Sequence, residues 1–140
     1  MSFHGSCAAL GDDAVVLLGP PGSGKSDLLL QLLDRGFSLV GDDKLIVEHG
    51  RVRSATSVAG LLEIRGVGIF EMPYRDNARL RLVVMLEGVA DRLPMPQYDA
   101  TLGVPSIMVD PRTVAAAIKI SWALDAVCGR KTQYCGAFAA

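Results

Sequence analysis

One stretch constrains the fold more than any other. Gly19-Pro20-Pro21-Gly22-Ser23-Gly24-Lys25-Ser26 satisfies G-x-x-x-x-G-K-[ST] and follows the apolar run Ala14-Val15-Val16-Leu17-Leu18. A strand that delivers a glycine-rich loop into a helix start separates a phosphate-binding loop from a chance match. Gly22 and Gly24 lack a Cβ, so the backbone can turn with positive φ and bring successive N–H groups near phosphate oxygens. A helix predicted over Lys25 to Arg35 adds its dipole and its free amides. In such a loop the lysine, Lys25, reaches the β/γ-phosphates and the Ser26 hydroxyl sits on Mg²⁺.

The flanking segments suggest an α/β fold. Gly11-Asp12-Asp13 reads as a turn joining antiparallel strands over 5–10 and 14–18. Leu28, Leu29, Leu32 and Leu33 form one stripe along the helix, and Gly36 stops it. Phe37 to Val40 reads as a strand ending in Gly41-Asp42-Asp43, the place where a second acidic site for Mg²⁺ usually lies in P-loop proteins. Lys44 to Val47 and Arg51 to Ala55 form a hairpin around Glu48-His49-Gly50. In the next short strand Glu63 and Arg65 precede Gly66 and Gly68, giving a candidate metal ligand and a candidate phosphate anchor or acid partner.

Arg79 to Glu87 is apolar enough for a central strand. Residues 88–105, with Pro94, Pro96 and Pro105, read as the longest irregular connection. A last strand is expected over Ser106 to Val109, and Asp110-Pro111 opens a helix over 112–127. That helix is apolar nearly all round, so cover by another subunit is expected. Residues 1–128 make a single P-loop domain, and the aperiodic 129–140 segment is expected to be a flexible tail.

Composition narrows the function classes. The 140-residue chain carries 14 Lys and Arg against 15 Asp and Glu, so no global charge favours nucleic acid or an anionic membrane. No apolar run reaches the roughly 18 residues of a membrane span, and the N-terminus lacks a basic and apolar leader pattern. The 3 cysteines, Cys7, Cys128 and Cys135, lack metal-type spacing and point to reduced thiols in a cytoplasmic protein.

The residues also carry a resemblance. His4-Gly5 ahead of the loop, the loop itself, Leu39-Val40-Gly41-Asp42-Asp43, Leu62-Glu63-Ile64-Arg65-Gly66-Val67-Gly68-Ile69 and Asp91-Arg92-Leu93 occur in this order. From His4 to about Pro105 the chain resembles the catalytic domain of HPr kinase/phosphorylase. The Glu-Ile-Arg-Gly-x-Gly-Ile run is far more specific to that family than the P-loop. The resemblance implies a mixed β-sheet with flanking helices, related to phosphoenolpyruvate carboxykinase. It also implies transfer from ATP or pyrophosphate to a serine of an HPr-type phosphocarrier of a phosphotransferase system, a phosphorolytic reversal, and a hexamer. On the family pattern the loop from Gly19 to Ser26 binds nucleotide. Ser26 and Glu63 hold Mg²⁺, the Asp42-Asp43 pair includes the proton acceptor, and His4 and Arg92 join Lys25 in the catalytic set.

Two departures stand out. The family commonly carries a domain ahead of the catalytic one, whereas only three residues precede His4. A catalytic-domain-only form is therefore expected. The family's late Pro-Val-x-x-Gly-Arg-Asn type segment is replaced by Val109-Asp110-Pro111-Arg112-Thr113, so phosphorolysis is expected to be weak beside kinase activity. Two other readings compete: a nucleotide-dependent module that binds a protein partner without transfer, and a small-molecule P-loop kinase, which would need a lid that the sequence does not show.

Overall fold

The structure, a computed structural model, describes residues 1–139. Strands β1 (Ser2–Leu10) and β2 (Asp13–Leu18) form the expected antiparallel hairpin, and α1 (Lys25–Asp34) follows the glycine-rich loop. Leu28, Leu29 and Leu32 of α1 are buried, and Gly36 takes φ +94 just beyond its end, as the leucine stripe and the glycine stop require.

The next element departs from the expected pattern. Gly41-Asp42-Asp43 does not end a strand but lies inside one continuous strand, β3 (Ser38–Glu48). The reason is non-local. β1 is long enough to pair with both halves of β3, through Ala8↔Leu39 on one side and Phe3↔Leu45 on the other. Cross-strand pairing of this kind overrides the weak strand preference of Gly and Asp. The run is accommodated by a bulge opposite Cys7/Ala8 and by Asp43, which holds φ +102, a region that residues with side chains rarely adopt.

β3 turns through His49-Gly50, both with positive φ, into β4 (Arg51–Ser54). A separate two-stranded hairpin follows, β5 (Leu61–Ile64) with β6 (Gly68–Glu71). β7 (Ala78–Met85) is the central strand expected from its apolar run. Residues expected as an irregular connection contain β8 (Gln97–Asp99), antiparallel to β9 (Val104–Met108).

The main sheet has the order β2-β1-β3-β4-β7-β9-β8, and β2 also pairs in parallel with β7. β2, β1, β3, β4 and β7 therefore close into a ring, from which β9 and β8 extend. The sheet is mixed, with parallel β2–β7 and β7–β9 pairs among antiparallel ones. Alternation along the strands divides the apolar residues into two cores. Inside the ring the side chains are mostly small, among them Cys7, Ala9, Ala14, Val16 and Ala78. Outside it, Ala8, Val15, Leu17, Leu39, Leu82 and Val84 pack against α1 and against Ile120 and Leu124 of α2 (Ala116–Val127).

α2 starts later than expected. Asp110 spends its carboxylate on a local turn, accepting from the Arg112 N–H at 3.0 Å and from its guanidinium at 3.1 Å, so it caps no helix. On α2, Ala116, Ala117, Ile120 and Leu124 are buried, whereas Ile118 is 40% and Trp122 60% exposed. Of the expected tail, residues 129–139 fold back. Arg130 bonds Asp13 and Asp125 at 2.7 Å each, and Phe138 packs on the helix-side core. Ala140, the last residue of that tail, lies outside the described residues. No helix among the described residues is long and apolar enough to cross a membrane.

Candidate active site

The site is built where α1, β1, β3 and β5 converge. The loop between β2 and α1 turns through Gly22 at φ +79 and Gly24 at φ +98, and a Cβ placed on Gly22 would meet nothing within 4 Å. The loop backbone thus faces open space, as a phosphate cradle must. Among the described residues no side chain caps the start of α1, which leaves its first amides available. Lys25 is folded into the loop: its Nζ donates to the Gly19 carbonyl at 2.7 Å and the Pro20 carbonyl at 3.1 Å, and lies 3.5 Å from Ser23 Oγ. Its charge is thus spent on loop carbonyls.

Across from the loop stands Asp42. The Ser26 hydroxyl reaches both of its carboxylate oxygens, at 3.1 and 3.3 Å, and the Ser6 hydroxyl donates to Oδ1 at 2.7 Å. Burial raises the Asp42 carboxyl above its ordinary value against these two bonds, and the charges of Asp43 and Glu63 add to the rise. Asp43 is exposed, and its Oδ1 lies 3.3 Å from His4 Nδ1. His4 and Ser6, two residues apart on β1, thus each meet one acid of the pair.

His4, Pro21, Lys25, Ser26, Asp42, Asp43 and Glu63 line one open cleft of about 570 Å³. A smaller concavity of about 140 Å³ lies at the loop itself, where Glu63 and Arg65 of the β5 hairpin face Gly22 to Asp27. The cleft therefore gathers His4, Lys25, Ser26, Asp42, Asp43 and Glu63, drawn from distant parts of the chain. It does not gather Arg92. That guanidinium lines a separate apolar cleft of about 720 Å³ with Leu93 and Trp122.

Two contributors were not legible as site residues. Ser6 is recognisable only once β1 is set against β3 in register. Pro111 lies over the start of α1, where a Cβ on Gly24 would come within 3.3 Å of its Cβ, so the Val109 to Thr113 segment borders the loop.

The oxygen donors suit one kind of metal. Among the described residues no three His, Cys, Asp or Glu cluster as a ready metal cage. One or two carboxylates and a hydroxyl, with phosphate and water completing the shell, is the arrangement Mg²⁺ takes. Ser26, Glu63 and Asp42 fit that description.

Comparison with known proteins gives the following. Residues 1–104 match the family model described as the HPr Serine kinase C-terminal domain. An HPr kinase/phosphorylase of Aromatoleum aromaticum is 35% identical over 147 residues, covering 90% of this chain and 46% of that protein. One of Cupriavidus metallidurans is 33% identical over 132 residues, covering 82% of this chain and 41% of that protein. The chain thus spans less than half the length of these curated relatives. The solved structure of the Hpr(Ser) kinase/phosphatase from Coxiella burnetii matches with a TM-score of 0.72 at 20% identity, covering 93% of this chain and 92% of that one. That likeness is one of fold.

Proposed function

The chain belongs to the HPr serine kinase C-terminal domain family, and we propose that it transfers the γ-phosphoryl group of ATP to a serine of an HPr-type phosphocarrier protein. The observation that carries the reading is the single cleft that joins the glycine-rich loop to Asp42, Asp43 and His4. A cradle alone would bind nucleotide. The acids opposite it supply what transfer to a hydroxyl needs besides.

The loop amides and the start of α1 hold the phosphates, and Lys25 leaves the Gly19 and Pro20 carbonyls to neutralise the transferred group. Ser26 and Glu63 would hold Mg²⁺, which when bound supplies charge cancellation between the phosphates. Asp42 takes the proton of the incoming serine hydroxyl; its raised proton affinity suits it to that work more than an ordinary surface carboxylate. His4 orients Asp43 at the cleft mouth. By microscopic reversibility the same carboxylate returns the proton when inorganic phosphate attacks phosphoserine, which would release pyrophosphate.

The test is direct. The chain is incubated with ATP, Mg²⁺ and an HPr-type phosphocarrier, and the phosphocarrier is analysed for phosphoserine by mass spectrometry. Formation of phosphoserine that requires Lys25 supports the reading, and nucleotide binding without transfer overturns it.

A further inference from the structure

The two hydroxyls on Asp42 differ in what ties them down. Ser26 opens α1 and is one of the residues that would hold Mg²⁺, so its hydroxyl would be shared between Asp42 and the ion. Ser6 has no such second task. It is fully buried and stands directly opposite Asp42 in the antiparallel β1–β3 register, and among the described residues its only side-chain bond is the 2.7 Å one to Oδ1.

The neighbouring acids offer Asp42 no hold. Asp43 follows it in sequence and Glu63 faces the same cleft, so both neighbouring carboxylates disfavour its charged form and neither bonds it in place. A carboxylate free to rotate would spend part of its time out of line with an acceptor hydroxyl. The backbone of β1 is locked into the ring, so the Ser6 hydroxyl is a fixed anchor point.

We propose that Ser6 is a positioning residue for phosphoryl transfer: by occupying Oδ1 it holds Asp42 in one rotamer and leaves Oδ2 turned to the serine hydroxyl of the acceptor. The proposal rests on the kinase reading in taking Asp42 as the proton acceptor. It assigns β1 a part in the chemistry that neither the loop nor the acid pair reveals.

The experiment compares the full chain with Ser6→Ala, Ser6→Thr, Asp42→Asn and the Ser6→Ala/Asp42→Asn double variant, in seryl phosphorylation of the phosphocarrier. Ser6→Ala is expected to lower kcat by about tenfold to a hundredfold, the range of small misplacements of a catalytic group, with the KM for ATP little changed. Ser6→Thr, which keeps the hydroxyl, is expected to retain most of kcat. The double variant is expected to be no slower than Asp42→Asn alone, because Ser6 acts only through that carboxylate. Multiplying losses in the double variant, or a loss in Ser6→Ala that appears as a raised KM for ATP, would overturn the proposal. Should Ser6→Ala fail to fold, Ser6→Cys takes its place in the same comparison with the same outcomes, since a thiol fills the site but donates weakly.

A crystal structure of the alanine or cysteine variant gives a readout without activity. The Asp42 carboxylate is expected to leave its wild-type rotamer, and an unmoved carboxylate would refute the anchor. A wild-type chain that phosphorylates no serine would refute the kinase reading instead, and the crystal structure would still decide what Ser6 does to Asp42.

Discussion

Ser26 and Asp42, sixteen positions apart in the chain, are joined by a hydrogen bond of 3.1 Å from the first turn of α1 to the middle of β3. The glycine-rich loop and the acid are therefore in direct contact. That contact sets what each half of the site can do independently.

Lys25→Ala and Ser26→Ala are expected to remove transfer and leave the fold. Both side chains work at the loop surface, so the core loses nothing when they are truncated. The loss in kcat is expected to be at least ~10²–10³, the effect of deleting one well-placed donor to developing charge. Phosphoserine formation and thermal unfolding, measured on the same samples, check both halves. Retained transfer in Lys25→Ala would refute the loop assignment.

Asp42→Asn is expected to separate activity from stability. Transfer should fall while nucleotide binding persists. The native carboxyl is raised, chiefly by burial, so its contribution to stability is full below its unfolded value of about 4 and is lost as pH rises through the folded one. At neutral pH without metal the charge therefore costs stability. Asp42→Asn should melt higher than wild type at pH 7, and the gain should shrink below about pH 4. A gain that does not change with pH would point to packing instead.

At the far end of the β1–β2 hairpin the sign reverses. Arg51 donates to both Asp12 oxygens, at 2.6 and 3.1 Å, and with help from Arg75 lowers the Asp12 carboxyl to about 2. This stabilisation is present above the unfolded value of about 4 and is lost as pH falls toward the folded one. Asp12→Asn should melt below wild type at pH 6, with the gap closing as pH approaches 2. Thermal melts across that range check it, and a gap of constant size would count against the ion pairs.

The outer side of α2 makes a prediction about assembly. Ile118 and Trp122 stay exposed on a helix whose opposite side is already packed. An oligomer covering that side would sediment above monomer mass, and Ile118→Glu should lower the mass without changing the circular dichroism. A wild-type monomer at micromolar concentration would remove the idea.

What could be read from the sequence was local. The β1–β2 hairpin, the loop from Gly19 to Ser26, the leucine stripe and the glycine stop of α1 are written within neighbouring residues, and all stand where expected. Gly41-Asp42-Asp43 was misread as a strand end because the pairing that carries β3 through it comes from β1, far off in sequence. Prolines hid β8 and the start of β9, whose later residues stand in the strand expected over Ser106 to Val109, with Pro105 tolerated inside β9. Asp110 looked like a helix start because its local bonds to Arg112 cannot be told from capping in a sequence. The acids were legible as chemistry, but the partners that hold them, Ser6 above all, became visible only in register.

The closed ring also dictates an order of assembly. β2 finds its parallel partner only in β7, with Asp13 opposite Arg79 and Leu18 opposite Met85. During synthesis β2 must therefore emerge and wait, with one edge unpaired, until β7 (Ala78–Met85), far beyond its own end at Leu18, has been made. Such non-local pairing is slow and leaves an open edge to other chains. The glycine-rich loop leaves from the end of β2, so the half of the candidate site earliest in the chain is among the last to be fixed in place. A chain arrested before β7 would be expected to need chaperone protection and to bind no nucleotide.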